Sequence, residues 1–279
     1  AVLMIAYIVG LYYYFYMRES FDFGWRFLTF MHPIIFSGVI TLIYILVFQL
    51  LISKLFKNKK EEQIRELAQL FDDATAYGQI KNPNPINVKL EAMKGLFDGT
   101  KKLYISADYG KEIIEAVQFA KSKGVKSIVI IGGEESLLAA DFLRDNNVPV
   151  IVSGTHRLPN SIDDDTDLPY KLPQLLAQKG VTVGLAYIGM HWRTRNLPFL
   201  AGTVAGHGMS KDDALKLVTI NNAKILGIDK YVGSLEVGKQ ATLVVSQGDL
   251  LDMRSAKVEQ AFIQGKKLDL DDKQKRLYK

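Results

Sequence analysis

Two long runs of uncharged residues at the start of the chain constrain its fold more than any other feature. Ala1–Met17 contains no charged side chain, and a second uncharged run extends from Phe27 to Ser53. Each run approaches or exceeds the roughly 20 apolar residues that cross a bilayer as a helix. A secretory signal peptide would need a basic start and a small-residue cleavage site, and the first run has neither. We therefore expect two transmembrane helices.

The basic residues that follow the second run predict the orientation in the membrane. Between Lys54 and Lys60 the chain carries four lysines, which we call the lysine cluster, whereas the loop between the two runs carries Arg18 and Arg26. Because basic segments favour the cytoplasmic side, we expect a membrane anchor over residues 1–60, with the cluster at lipid headgroups and the remainder in the cytoplasm. A bacterial inner membrane fits this prediction, and a periplasmic location stays open.

Composition excludes several classes of protein. The chain has 0 cysteines, so it has no disulfide framework, no thiolate zinc site and no cysteine nucleophile. Its 35 basic and 30 acidic side chains are interleaved, for a net charge of +5, and no basic face typical of a nucleic-acid partner is evident. Any metal ion would be held by histidine or carboxylate ligands.

The segment after the lysine cluster alternates between helical and strand-like patterns. Apolar residues at helical spacing predict a surface helix from Glu61 to about Ile80, and another helix is predicted over Val88–Phe97. Four strands are then predicted at Leu103–Ala107, Ser127–Ile131, Val150–Val152 and Val181–Ala186. Helices are predicted between them at Glu112–Lys123, Ser136–Asp145 and Pro169–Lys179. Strands separated by helices indicate a parallel α/β sheet, either doubly wound or a (β/α) barrel.

The C-terminal region changes pattern again. Helices are predicted at Leu197–Gly206 and Lys211–Asn222, followed by short strands in ATLVVSQGD and VEQAFIQGK. These strands predict a small separate β element, and the last residues form a charged tail. The predicted domains are therefore residues 1–60, 61–232 and 233–279.

Several segments carry a family resemblance when they are taken in order. They are RNLPFLAGTVAGHGMSKDDALKLVTINNAKILG, VGSLEVGKQATLVV and VEQAFIQGK. Together they resemble the amidohydrolase superfamily, in particular its imidazolonepropionase-like branch, over about Lys60–Lys279. The resemblance implies a partial (β/α) barrel of about four βα units with a small C-terminal β element. It also implies a divalent metal, zinc or iron, that activates water for hydrolysis of carbon–nitrogen bonds.

The residues that this resemblance requires are incomplete. No His-x-His pair precedes the predicted strands, and LYISAD has Ser106 where relatives carry histidine, although it keeps Asp108. The acid expected after VTVGLAY is replaced by Gly189, Met190 and His191. We therefore expect no metal ligands and no metal cofactor in this chain. Zinc or iron is expected only where a complete site exists.

Asp108 and His156 are the candidate catalytic residues. His156 follows the third predicted strand, where a barrel presents catalytic groups, and a structural role is its alternative. For His191 a solvent-exposed loop position is favoured, and His207 is expected to end a helix. The acidic segment Asp163–Asp167 is interpreted as a solvated loop, because it lacks the glycine and terminal glutamate of an EF-hand.

Two functions remain open at this stage. Half a barrel leaves two sheet edges unpaired, so we expect a partner chain on those edges, a rearranged open sheet, or an incomplete or composite chain. The first hypothesis is a membrane-anchored amidohydrolase-like scaffold or complex subunit without a complete metal site. The alternative is an active metal-dependent C–N hydrolase whose first barrel half lies outside this chain or in a partner. A channel is disfavoured, because neither run contains an intramembrane charge.

Overall fold

The computed structural model describes residues 23–159, 162–187, 191–271 and 273–278. They fall into two compact units, of which the first ends at Leu70 and the second begins at Phe71. The first predicted membrane span, Ala1–Met17, lies outside the described residues, as do Gly189 and Met190. The three predicted domains, with boundaries after residues 60 and 232, stay predictions.

Helix α1 spans Phe23–Gly78 and continues through the lysine cluster. The helix expected to start at Glu61 is therefore the end of α1. The separate boundary was wrong, because no glycine or proline interrupts the cluster and lysine is a good helix former. Large apolar side chains from Tyr44 to Phe56 are exposed. Where side chains are described, no helix has both the length and the apolar character for crossing a membrane, and the two spans stay predictions.

A four-stranded parallel sheet organises the second unit. Its strands are β1 (Leu103–Ala107), β2 (Ile128–Gly132), β3 (Val150–Ser153) and β4 (Val183–Ala186). They lie in the order β1-β2-β3-β4, each parallel to the next. The strands lie side by side in the same order as in the chain, as in a segment of a (β/α) barrel. In a doubly wound sheet the order of the strands reverses at a switch point. The predicted α/β class is confirmed, and the sheet is consistent with a partial barrel.

Helices connect and follow these strands. Their bounds are α2 (Val88–Asp98), α3 (Gly110–Ser122), α4 (Ala140–Asp145), α5 (Leu168–Gln178), α6 (Leu197–Gly206), α7 (Lys211–Val218) and α8 (Ile220–Leu226). Short 3₁₀ segments precede α4 and α6, at Ser136–Ala139 and His191–Asn196. The single helix expected over Lys211–Asn222 is instead two helices, because Thr219 leaves the helical region at φ −122° and ψ −99°.

One face of the sheet packs against α3, α4 and α5. Ile113 and Val117 of α3 are separated by one helical turn and are both fully buried, as are Leu143 of α4 and Leu176 of α5. Alternate strand residues such as Ile130 and Val150 point into the same core. Each large side chain buried in this way contributes about 1.5–3 kcal/mol of hydrophobic stabilisation.

The opposite face of the sheet is covered by α8. Val129 of β2 and Ile151 of β3 form a second buried cluster there with Ile225. Gly184 of β4 lies beneath the same helix, and a Cβ at this position would overlap Oδ1 of Asn222. The absence of a side chain at Gly184 therefore lets α8 approach β4 closely.

Helix α8 also reaches both edge strands. Asn221 Nδ2 donates to the Val183 carbonyl at 2.9 Å, and Asn222 Nδ2 donates to the Leu185 carbonyl at 2.9 Å. At the other edge, the Tyr104 hydroxyl donates to the Ile225 carbonyl at 3.3 Å. A helix of this chain thus satisfies some of the backbone groups that a neighbouring strand would pair.

A small antiparallel sheet follows α8 in sequence. Its strands are β5 (Leu243–Gln247), β6 (Lys257–Ile263) and β7 (Lys266–Lys267), in the order β5-β6-β7. The two strands predicted in this region are present, and β7 adds a short third strand. The predicted charged tail contains a last helix, α9 (Lys273–Tyr278).

Candidate functional site

The carboxyl ends of the strands bring the candidate residues to one edge of the sheet. Asp108 directly follows β1, Glu134 follows the Gly132-Gly133 turn after β2, and His156 lies in the loop after β3. Because all four strands are parallel, these segments leave the sheet at the same end. We call this end the carboxyl edge.

Asp108 is held against the turn that follows β2. Gly132 has φ +102°, and a Cβ at this position would overlap Oδ1 of Asp108. The backbone reinforces the arrangement, since Gly133 N donates to the Ala107 carbonyl at 2.9 Å and Glu135 N donates to the Asp108 carbonyl at 2.8 Å. Glycine at position 132 therefore makes room for a partly buried carboxylate at the carboxyl edge.

Two glutamates of the same turn have structural partners. The Glu134 carboxylate pairs with Arg157, with Nε and Oε1 separated by 3.3 Å and both side chains largely buried. Glu135 Oε2 accepts a hydrogen bond from Gly110 N at 3.0 Å, at the first residue of α3. Tyr109, which precedes that helix, makes no side-chain cap of its own. These roles carry no signal in the sequence, because the ion pair joins residues of two separate loops.

His156 is joined to α6 through Thr203. Its Nε2 lies 2.5 Å from Thr203 Oγ1, while the Thr203 hydroxyl donates to the Phe199 carbonyl at 3.0 Å. Since the single hydroxyl proton is used on Phe199, the network assigns a proton to Nε2 of His156 and leaves Nδ1 with the lone pair. Partial burial lowers the pKa of His156 from 6.5, so the neutral ring is favoured.

Thr203 also contacts a second histidine. His207 Nδ1 lies 2.8 Å from the Thr203 carbonyl, and its ring packs on Tyr170 with centroids 4.8 Å apart. His207 is the residue that follows the last turn of α6, so the prediction that it ends a helix is confirmed. Thr203 was not singled out from sequence, since a threonine inside an apolar helix carries no motif.

The remaining predicted positions do not join this group. Ser106 is exposed and is in register with Ile131 of β2. His191 begins the 3₁₀ segment before α6, and the structure does not describe its side chain. Thr155, beside His156, is fully buried, and its hydroxyl has no hydrogen-bond partner among the described residues.

The acidic loop before α5 is organised by a lysine. Lys171 Nζ lies 3.3 Å from carboxylate oxygens of both Asp165 and Asp167. The pKa of the Asp165 carboxyl is lowered, first by the backbone N–H of Asp167 and then by Lys171. These ion pairs agree with the interpretation of a surface loop.

A metal site requires several donor side chains close together. No three histidine, aspartate or glutamate side chains among them lie close enough together to hold a metal ion. Nε2 of His156 is hydrogen-bonded to Thr203 Oγ1. The hydroxyl of Ser106 is a poor ligand for a divalent ion. The described residues therefore do not fit the zinc or iron that the resemblance implies. The prediction that this chain holds no metal stays a prediction.

Comparison with known proteins shows which family these elements resemble. Residues 184–268 match the model of the amidohydrolase family. A curated imidazolonepropionase from Shewanella frigidimarina (strain NCIMB 400) is 32% identical over 139 residues, which are 49% of this chain and 29% of that protein. A crystal structure of an amidohydrolase from Thermotoga maritima MSB8 superposes with a TM-score of 0.63 at 26% identity. The C-terminal part of this chain is similar to the amidohydrolase superfamily.

The resemblance to the imidazolonepropionase-like branch is thereby confirmed. The match with the Thermotoga amidohydrolase covers 74% of this chain and 55% of that protein. The chain thus spans less than two thirds of the amidohydrolase relatives that it matches. The family match extends from β4 to the end of the small sheet, so it includes α8 and the hydrogen bonds of α8 to β4.

Proposed function

We propose that this chain is a membrane-anchored protein whose amidohydrolase-like region acts as a scaffold or complex subunit rather than as a hydrolase. One observation carries the proposal. The Nε2 atom of His156 is engaged by Thr203 Oγ1, whose own proton is donated to the Phe199 carbonyl, so this ring nitrogen is held by α6. The ring of His156 therefore joins the loop after β3 to α6.

The neighbouring polar groups support the same function. Arg157 pairs with Glu134, and Glu135 bonds to the start of α3. Hydrolases of this kind need a bound water whose pKa is lowered by a metal, together with a base that accepts its proton. At the carboxyl edge, these side chains instead hold the loops and helices of the region together.

Membrane anchoring is supported by α1 and by the residues that surround it. The uncharged run Phe27–Ser53 lies within this helix. Tyr44, Leu50 and Leu51 of this run are exposed by 65%, 66% and 58%, and a hydrocarbon layer would remove such side chains from water. The lysine cluster at the end of the run suits anionic headgroups, with the amidohydrolase-like region in the cytoplasm and the inner membrane of a bacterium as the location.

A second candidate function rests on Asp108. Its partly buried carboxylate sits at the carboxyl edge in a space that Gly132 leaves open, and a carboxylate in that position is suited to accept a proton from water. This observation favours a metal-dependent C–N hydrolase in which another chain, or residues outside this sequence, supplies the missing barrel half and its ligands. Such a partner would also cover what remains open of the sheet edges.

Hydrolysis assays separate the two functions. The chain is purified in mild detergent together with any partner that stays bound, and is incubated with zinc or iron and a panel of cyclic amides and dipeptides. We expect no turnover above that of a heat-denatured sample. Asp98→Asn is the control, because this carboxylate lies before β1 at the other end of the sheet. Turnover that is lost in Asp108→Asn and kept in Asp98→Asn would favour the hydrolase over the scaffold function.

Membrane anchoring has its own test. Membranes from cells that express the full chain are washed with alkaline carbonate, which removes peripheral proteins. We expect the chain to stay in the pellet with integral membrane proteins. Recovery in the supernatant would remove the anchor from the proposal without affecting the scaffold function.

A further inference from the structure

A cavity of about 580 Å³ opens at the end of the parallel sheet opposite to the carboxyl edge. Its floor is formed by the segments that enter β2, β3 and β4, including Ser127, Pro149 and Thr182. Cavities of roughly 300–1,000 Å³ are the usual size of small-molecule sites. The cavity is therefore large enough for more than a single inorganic ion.

Every charged side chain that lines this cavity is cationic. The five are Lys102, Lys121, Lys126, Arg144 and Lys224, and the described lining contains no aspartate or glutamate. Arg144 is paired at 2.8 Å with Asp141 and at 2.8 Å with Asp145, which lie outside the lining. The four lysines consequently determine the charge of the cavity.

Two of these lysines are positioned by neutral acceptors. Lys121 Nζ donates to the carbonyl of Asn146 at 3.2 Å and to its Oδ1 at 2.7 Å. Lys102 Nζ donates to the carbonyls of Lys224 at 3.1 Å and Ile225 at 2.7 Å. An ammonium has three protons, so each group keeps one N–H for a further acceptor. Neutral acceptors hold both ammonium groups in place without cancelling their charge.

We propose that this cavity binds a phosphorylated small molecule. Four positive charges around one concave surface produce a positive potential that attracts an anion. A phosphate offers several acceptor oxygens to ammonium groups. Uncharged donors beside them, the Ser127 and Thr182 hydroxyls and the Asn147 amide, suit a polar body such as a sugar. The site does not involve Asp108 or His156 and stands independently of the scaffold function.

Calorimetric titration of the full chain with pyrophosphate tests this inference, at constant ionic strength and in a buffer without phosphate. We expect saturable binding with one pyrophosphate per chain, and binding at least about tenfold weaker in Lys121→Gln and in Lys126→Gln. Lys111→Gln is the matched control. Lys111 lies at the start of α3, beside the carboxyl edge, with its side chain 87% exposed, and its replacement leaves the affinity unchanged.

Circular dichroism of each variant checks that the fold is retained, and a second pair of ligands checks the chemistry. A sugar phosphate should compete with pyrophosphate, whereas the same sugar without phosphate should not. Absence of saturable binding, or equal weakening by Lys111→Gln and the two cavity variants, would overturn the site. Equal competition by the unphosphorylated sugar would overturn the phosphate as its ligand.

Discussion

The side-chain amide of Asn222 donates to the Leu185 carbonyl at 2.9 Å, on the edge of β4 that faces away from β3. Carbonyl groups alternate in direction along a strand. Thr182 O accepts from Val150 N of β3, so Val183 O and Leu185 O point outward, where Asn221 and Asn222 reach them. Side chains of α8 thereby replace part of the strand that a closed barrel would place beside β4.

Removing this contact should destabilise the second unit. Asn222→Ala leaves the Leu185 carbonyl without its donor, and we expect the free energy of unfolding to fall by about 1–3 kcal/mol. Asn196→Ala is the control, because Asn196 precedes α6 without making a side-chain cap. Urea denaturation followed by circular dichroism measures both, and equal midpoints would contradict a role for Asn222 at the edge.

Gly132 should tolerate no side chain. Alanine at this position meets both a left-handed backbone at φ +102° and the Asp108 carboxylate. We expect Gly132→Ala to lower the free energy of unfolding by about 1–3 kcal/mol. Gly206→Ala at the end of α6 is the control, since a Cβ there meets nothing within 4 Å. The arrangement at Asp108 would be refuted if both variants unfolded at the wild-type denaturant concentration.

The packing of α5 on the sheet predicts how far the free energy of unfolding falls when a core leucine is shortened. Leu176 is fully buried, and Leu176→Ala should cost about 2–5 kcal/mol through lost contacts and the cavity left behind. Leu138 is 79% exposed, so Leu138→Ala should change stability by less than about 0.5 kcal/mol. The same denaturation experiment distinguishes them, and a small effect at Leu176 would mean that α5 is not packed as described.

Stability should depend on pH through His156. Its folded-state pKa lies below 6.5 because of partial burial, so the unfolded chain binds the proton more readily. The contribution is present above the unfolded pKa and is lost as pH falls through that value towards the folded pKa. We expect the unfolding free energy to decline from about pH 7 to about pH 5, with a smaller decline in His156→Gln. Identical pH profiles of the two proteins would exclude this role.

Much of the sheet is predictable from local pattern. The β1 bounds Leu103–Ala107 and the α6 bounds Leu197–Gly206 coincide with those expected from sequence. In both cases the signal is local, because the apolar residues and the residues that flank the element lie within a few positions of one another. The predicted start of a separate helix at Glu61 was wrong, because the charge of the chain changes at the lysine cluster while its helix propensity does not.

The partners of the candidate site were less predictable. His156 was placed after β3 from sequence, but its partner Thr203 is 47 residues away on α6. The pairing of Glu134 with Arg157 and the bonds from Asn221 and Asn222 to β4 are likewise long-range. A single sequence contains no periodic signal for contacts between distant loops and helices, so only the fold reveals them.

The proposed scaffold function requires that the amidohydrolase-like region holds no metal of its family. Elemental analysis measures this in the full chain, purified in detergent without chelators from cells supplied with zinc and iron. We predict no stoichiometric transition metal, and the same result for His156→Gln. One zinc or iron ion per chain, lost in His156→Gln or Asp108→Asn, would contradict it.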